Sequence, residues 1–234
     1  MQHKLASLRN EDTASDSFRR VMAQMSVQIF YEAARDLPYA VQTIKTPFAS
    51  TDVNRICKGV ALIPVMRAGL GMSEAIVNLW PDATVGHIGI YRDKFIQNTV
   101  EYYFKMPKGI KDSAIFVLDP IVATGDTAIA TIDRLKEIGC SDIRYLSLLT
   151  SRQGAETLMQ THPDIKLFAV STSDDINEDG YLTPGLGDVG SRYYNALWIL
   201  LLNTVNNEWI KKADALFMHR PFYLKQFFKI NHFQ

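Results

Sequence analysis

Asp119 closes an apolar run and is followed by Pro120, Ile121, Val122, Ala123, Thr124, Gly125, Asp126 and Thr127, a loop dominated by small and hydroxyl side chains. Where such a loop carries a strand into a helix, several backbone N–H groups can converge and the helix dipole favours an anion. Thr124 and Thr127 add hydroxyl donors, so residues 123–127 have the composition of a phosphate cradle. It is not a Walker loop: G-x-x-x-x-G-K-[ST] is absent, and no lysine stands ready for β- and γ-phosphates. An acid just ahead of the cradle has the reach to accept hydrogen bonds from sugar hydroxyls. Together the two point to a ribose 5-phosphate.

The elements that must hold this loop are legible around it. Residues 113–118 are β-branched and aromatic, and apolar residues recur at helical spacing over 127–135, which predicts strand, tight loop, helix. Further strands are predicted at 59–65, 84–91, 142–150 and 165–170, with helices over 73–79 and 153–160. Near the N-terminus, Phe18, Val21, Met22, Met25 and Ile29 fall on one face of a helix expected to end near Leu37 and Pro38, and that stripe is a packing face. Strands alternating with helices imply right-handed parallel βαβ units, an α/β sheet with helices on both faces. Ligands of such sheets bind beyond the carboxyl ends of the strands, at 67–71, 91–93, 119–127 and 151–154 in this chain.

At 234 residues the chain fits one ordinary α/β domain with a small appendage. Lysine plus arginine and aspartate plus glutamate both number 25, so no net field argues for nucleic acid or an anionic membrane, and any anion site is local. Cys57 and Cys140 have no metal-ligating companions, and a reducing cytosolic setting is expected. Neither a secretory signal nor a stretch of roughly 20 apolar residues is present, so no stable membrane insertion is expected. Gly185, Gly187 and Gly190 spell G-x-G-x-x-G, but no strand precedes them and Pro184 stands in the way, so they are read as a turn. Gly69 and Gly71 follow a strand but lack the third glycine. His87, Tyr102 and Tyr103 are read as a satisfied core histidine and strand packing.

The strand-end acid plus A-T-G-x-[ST] resembles the phosphoribosyl diphosphate (PRPP) loop of type I phosphoribosyltransferases, and "DPIVATGDT", with proline after the acid, resembles the uracil phosphoribosyltransferase family. Three other blocks agree in order: "IPVMRAGLGM" at 63–72, "VGHIGIYRD" at 85–93 followed by "VEYYFKMP", and "NEDGYLTPGLGDVGSR" at 177–192. The resemblance implies a type I phosphoribosyltransferase-like fold, a mostly parallel sheet flanked by helices with a small base-binding hood. It implies transfer of the phosphoribosyl group from PRPP to uracil N1, giving UMP and pyrophosphate with Mg²⁺ assisting. The catalytic residues it implies are Asp119, on the ribose hydroxyls, with Arg67 and Arg92 on PRPP; a planar guanidinium binds phosphate oxygens bidentately. Residues Pro120 to Thr127, Asp126 included, take the 5′-phosphate. Main-chain groups at Leu182, Gly187 and Val189 read uracil, with Asp188 beside base, PRPP and metal. Residues 93–100 match a mobile arm. The resemblance further carries a homo-oligomer, a GTP effector and a cytoplasmic location.

The sequence departs from the family pattern at Asp126, where glycine is usual, at "SRQG" (151–154), and at "STSDDIN" (171–177), where Ser173 and Asp175 replace the usual acid and glycine. These departures motivate a second reading, a non-catalytic PRPP- or nucleotide-binding regulator. The resemblance covers a domain at 1–194. Beyond it, 195–234 form an extension, basic and aromatic, to which no role is assigned.

Overall fold

The computed structural model describes residues 1–93, 98–173, 175–178 and 180–196, and of Arg92, Asp93, Asn98 and Ser173 the backbone alone. Most of the expected extension and the centre of the expected arm therefore lie outside the described residues. Two helices open the chain, α1 (Gln2–Arg9) and α2 (Ser15–Ala33), followed by a hairpin of β1 (Tyr39–Lys45) and β2 (Ser50–Ile56). Next come β3 (Val60–Pro64), α3 (Leu70–Leu79), β4 (Thr84–Val85), β5 (His87–Asp93) and β6 (Asn98–Lys105). The remainder is β7 (Ala114–Leu118), β8 (Ile121–Val122), α4 (Asp126–Glu137), β9 (Ile143–Ser151), α5 (Arg152–Thr161), β10 (Lys166–Ser173), β11 (Asp175–Ile176), β12 (Leu182–Thr183) and α6 (Val189–Tyr194).

The central sheet runs β10-β9-β7-β3-β4, with β8 also beside β9, and every pairing in it is parallel. Its inner strands are buried along their whole length because helices cover both faces. Alternation divides them: Val60, Leu62, Phe116 and Leu118 pack with the buried stripe of α2 and with α3, while Ala61, Ile63, Ile115 and Val117 pack with α4 and α5. Phe18, Met22, Met25 and Ile29 are all buried, as a packing stripe requires.

Three expectations need correction. The predicted strand over 84–91 is two elements: β4 stays in the sheet, and β5 leaves it to pair antiparallel with β6. Gly86 marks the break; its amide donates to the Leu62 carbonyl, and a Cβ there would lie 2.5 Å from Met106 Sδ. Helix α3 begins at Leu70, three residues earlier than 73, because Gly69 packs directly on the strands: a Cβ on it would lie 2.2 Å from the Leu118 carbonyl oxygen. His87 is half-buried, not a core residue, and Tyr102 and Tyr103 remain exposed, although the Tyr102 ring covers Gly89. The β1-β2 hairpin gave no periodic signal, since nearly every residue of it is exposed, with Phe48 at its tip 99% exposed.

Candidate active site

Beyond Leu118 the chain interrupts its pairing with β9. The Asp119 amide donates to Leu146, the Pro120 carbonyl accepts from both Leu148 and Leu149, and pairing resumes at Ile121 opposite Leu149. This interruption leaves the Asp119 side chain at the strand exit, where Tyr145 donates to its Oδ2 at 2.8 Å and the Ile121 amide approaches its Oδ1 at 3.4 Å. Burial pushes the Asp119 carboxyl up to about 6, opposed by the Tyr145 hydroxyl and then the Ile121 amide.

The cradle follows. Gly125 sits at φ 93°, a left-handed conformation that glycine adopts without penalty, and caps the start of α4. Thr124 Oγ1 donates to Asp126 Oδ2 at 2.9 Å, so the carboxylate that replaces the usual glycine is turned onto the loop's own hydroxyl. From the next strand exit, Ser151 donates to the Ala123 carbonyl and caps α5 by accepting from the Gly154 amide. A Cβ on Gly154 would lie 2.2 Å from that same carbonyl oxygen. The "SRQG" segment is thus the support beneath the cradle.

A cavity of about 590 Å³ opens over these elements. Of the sequence-predicted residues, Arg67, Asp119, Ile121, Val122, Ala123, Thr124, Gly125 and Thr127 line it. Pro120 is buried beneath it, and Asp126 is not part of its wall. Arg92 is the penultimate residue of β5, two positions beyond Ile90, which lines the cavity, but its side chain lies outside the described residues. Ala68, within the expected 67–71 segment, also lines it, whereas sequence reasoning missed Met66, Glu178, Gly180 and Tyr181, all in the wall. Met66 adjoins a residue already singled out. Tyr181 belongs to the "DGYLTP" block and had no signal of its own beyond that.

Leu182, Gly187, Asp188 and Val189 stand apart from the cavity wall, on a hood built from the β11-β12 pair, the following turn and α6. Leu182 and Val189 are 6% and 4% exposed, their side chains committed to the core, which leaves their main-chain groups as the available recognition elements. Asp188 is exposed and caps α6, accepting from the Ser191 amide at 2.6 Å. Arg67 joins hood to cavity: a Cβ on Gly190 would lie 3.9 Å from Arg67 Nη2 and 3.4 Å from Asp188 Oδ1, and the Tyr194 hydroxyl donates to the Arg67 carbonyl. The hood is fastened from behind. Arg192 donates to the carbonyls of Leu8, Leu186 and Asn10 and stacks 4.4 Å over Phe18, while Arg9 donates to Gly185.

Both glycine runs resolve without a dinucleotide site. Gly185 and Gly187 form the hood turn at positive φ, Gly190 lies in the first turn of α6, and a Cβ on Gly71 would lie 2.3 Å from the Tyr193 ring. Among the described residues no three histidine, cysteine or acidic side chains cluster to hold a metal unaided.

In sequence, residues 1–196 match the model of the family described as uracil phosphoribosyltransferase. The uracil phosphoribosyltransferase of Levilactobacillus brevis is 43% identical over 195 residues, covering 83% of this chain and 93% of that protein. That of Streptococcus pneumoniae serotype 4 is 41% identical over the same length and coverage. In structure, the AQ2163 protein from Aquifex aeolicus superposes with a TM-score of 0.79 at 25% identity, over 85% of this chain and 95% of that one.

Proposed function

The chain belongs to the uracil phosphoribosyltransferase family, and from that premise we propose how its own residues move a phosphoribosyl group from PRPP to uracil, giving UMP and pyrophosphate. Asp119 accepts the ribose hydroxyls, and main-chain groups from Pro120 to Thr127 hold the 5′-phosphate at the start of α4. Arg67 and Arg92 bind the pyrophosphate, and the main chain at Leu182, Gly187 and Val189 orients uracil so that N1 faces C1′. The transition state has oxocarbenium character, so positioning and charge neutralisation carry the rate. Asp188 is the carboxylate that would hold Mg²⁺, and the ion would supply charge neutralisation to the leaving group.

The observation that carries this reading is that the acid, the cradle and Arg67 line one cavity, with Arg67 also against the turn bearing Asp188. The departures at Asp126 and at 151–154 give the non-catalytic reading no support: Asp126 is turned onto Thr124, and Ser151 and Gly154 brace the cradle. Domain limits of 1–194 and 195–234, a cytoplasmic location, GTP responsiveness and a homo-oligomer complete the proposal. The exposed β1-β2 hairpin supports the last, because an isolated two-stranded hairpin is marginal in water. No helix among the described residues is long and apolar enough to cross a membrane.

The test is incubation of the purified protein with labelled uracil, PRPP and Mg²⁺, with cytosine, hypoxanthine and orotate in parallel. UMP from uracil alone is expected. PRPP binding without UMP formation overturns the proposal.

A further inference from the structure

Tyr145 lies within β9, fully buried, in a strand otherwise filled mainly by aliphatic and small side chains. A phenol hydroxyl in that setting is costly unless hydrogen-bonded. The β7-β9 register pairs Tyr145 with Val117, two residues before Asp119, so the hydroxyl arrives at the strand exit and meets Asp119 Oδ2 at 2.8 Å. The tyrosine is the donor: burial first, then the Asp119 charge, pushes its ionisation well above the ordinary range.

We propose that Tyr145 is a positioning residue for phosphoribosyl transfer, its hydroxyl fixing the Asp119 carboxylate from the buried side so that the remaining lone pairs face the ribose hydroxyls of PRPP. The proposal rests on the reading of Asp119 as the ribose acid. A carboxylate offers about four acceptor sites; Tyr145 takes one, and the Ile121 amide approaches another at 3.4 Å. The rest open onto the cavity that Asp119 lines. A protonated carboxyl would present an O–H where an acceptor is needed. Behind this carboxyl β9 contributes Tyr145; the cavity in front of it is lined by Arg67 from the segment after β3 and by Glu178 and Tyr181 from the segment before β12. Burial favours the protonated form, and the Tyr145 hydroxyl is the main influence against it.

Tyr145→Phe in the full-length protein removes this hydroxyl and nothing else. Across roughly pH 5 to 9, the acid limb of kcat/KM for PRPP is expected to move to higher pH, with a loss of about 10-fold near pH 6 that narrows toward alkaline pH. KM for uracil at saturating PRPP should move less. Replacing Tyr145 by 3-fluorotyrosine, a more acidic phenol and stronger donor, should shift the limb the opposite way, and it keeps the ring and hydroxyl should the phenylalanine variant fold poorly. Superimposable profiles for unsubstituted and fluorinated protein overturn the proposal. Calorimetric PRPP binding to Asp119→Asn separates the two levels. If that variant binds PRPP as tightly as the unsubstituted protein, the ribose-acid reading falls and this proposal with it. If it loses PRPP while neither Tyr145 variant moves the profile, the role of Tyr145 alone is overturned.

Discussion

Ser151 Oγ stands 2.5 Å from the Ala123 carbonyl oxygen to which it donates, tying the exit of β9 to the middle of the cradle. Ser151 Oγ in turn accepts from the Gly154 amide at 2.7 Å, so one side chain both caps α5 and fixes the backbone that is to meet a phosphate. Ser151→Ala should lose about 1 kcal/mol as a cap and free the carbonyl of its donor. The expected result is a rise of roughly 3- to 10-fold in KM for PRPP with kcat less affected, read by steady-state kinetics beside a thermal melt. An unchanged KM with a lowered Tm would confine Ser151 to capping.

Arg67 lies in the cavity wall and against the Gly190 turn, at the junction of the proposed pyrophosphate and base sites. Negative charge on pyrophosphate grows along the reaction, so interactions with it are felt most in the transition state. Arg67→Ala should lower kcat/KM by about 100-fold or more, while uracil affinity measured by calorimetry changes far less. Arg67→Lys should restore only part, because an ammonium lacks the planar fork. Equal losses in turnover and uracil binding would contradict the assignment.

Gly69 and Gly71 are the packing counterpart of that site. A Cβ on Gly69 meets backbone, the Leu118 carbonyl oxygen at 2.2 Å and the Val65 amide nitrogen at 2.8 Å, and neither can move without disturbing β3 and β7 together. Gly69→Ala should therefore cost about 3 kcal/mol or more, read as a large drop in urea midpoint. A variant within about 0.5 kcal/mol of the original would show that the strand exits are more compliant than drawn.

Strand cores and the cradle were legible in the sequence because each is a local pattern. Ile115, Phe116 and Val117 are continuous apolar residues because both sheet faces are covered, and Thr124-Gly125-Asp126-Thr127 is composed for a strand-to-helix turn. The hairpin at 39–56 was not legible: its residues are exposed on both faces, so no alternation marks them. The turn from β4 into β5 was hidden for another reason, since Gly86 matters through Met106 and Ile63, which lie far away in sequence. Tyr145 and Ser151 are of the same kind. Each acts on a residue more than twenty positions away, through a contact that exists only once β9 lies beside β7.

Asp119 itself should weaken the fold it serves. Burial raises its folded pKa from the ordinary 3.8 to about 6, so the ionised form is disfavoured in the folded protein relative to the unfolded chain. The sign follows from proton uptake: between those two values the folded state binds more protons, so stability from this group is lost as pH rises toward 6 and recovered as pH falls toward 4. The gap corresponds to at most ~3 kcal/mol, an upper bound because the cavity leaves part of the residue exposed. Asp119→Asn keeps an acceptor for Tyr145 and removes the charge. It should raise stability by about 1 to 3 kcal/mol near pH 7.5, with the gain shrinking to nothing near pH 4, while abolishing UMP formation. Urea titrations at the two pH values check this. A variant less stable than the original at pH 7.5 would mean that the carboxylate is a net structural contributor, and that its burial is compensated by contacts beyond Tyr145 and Ile121.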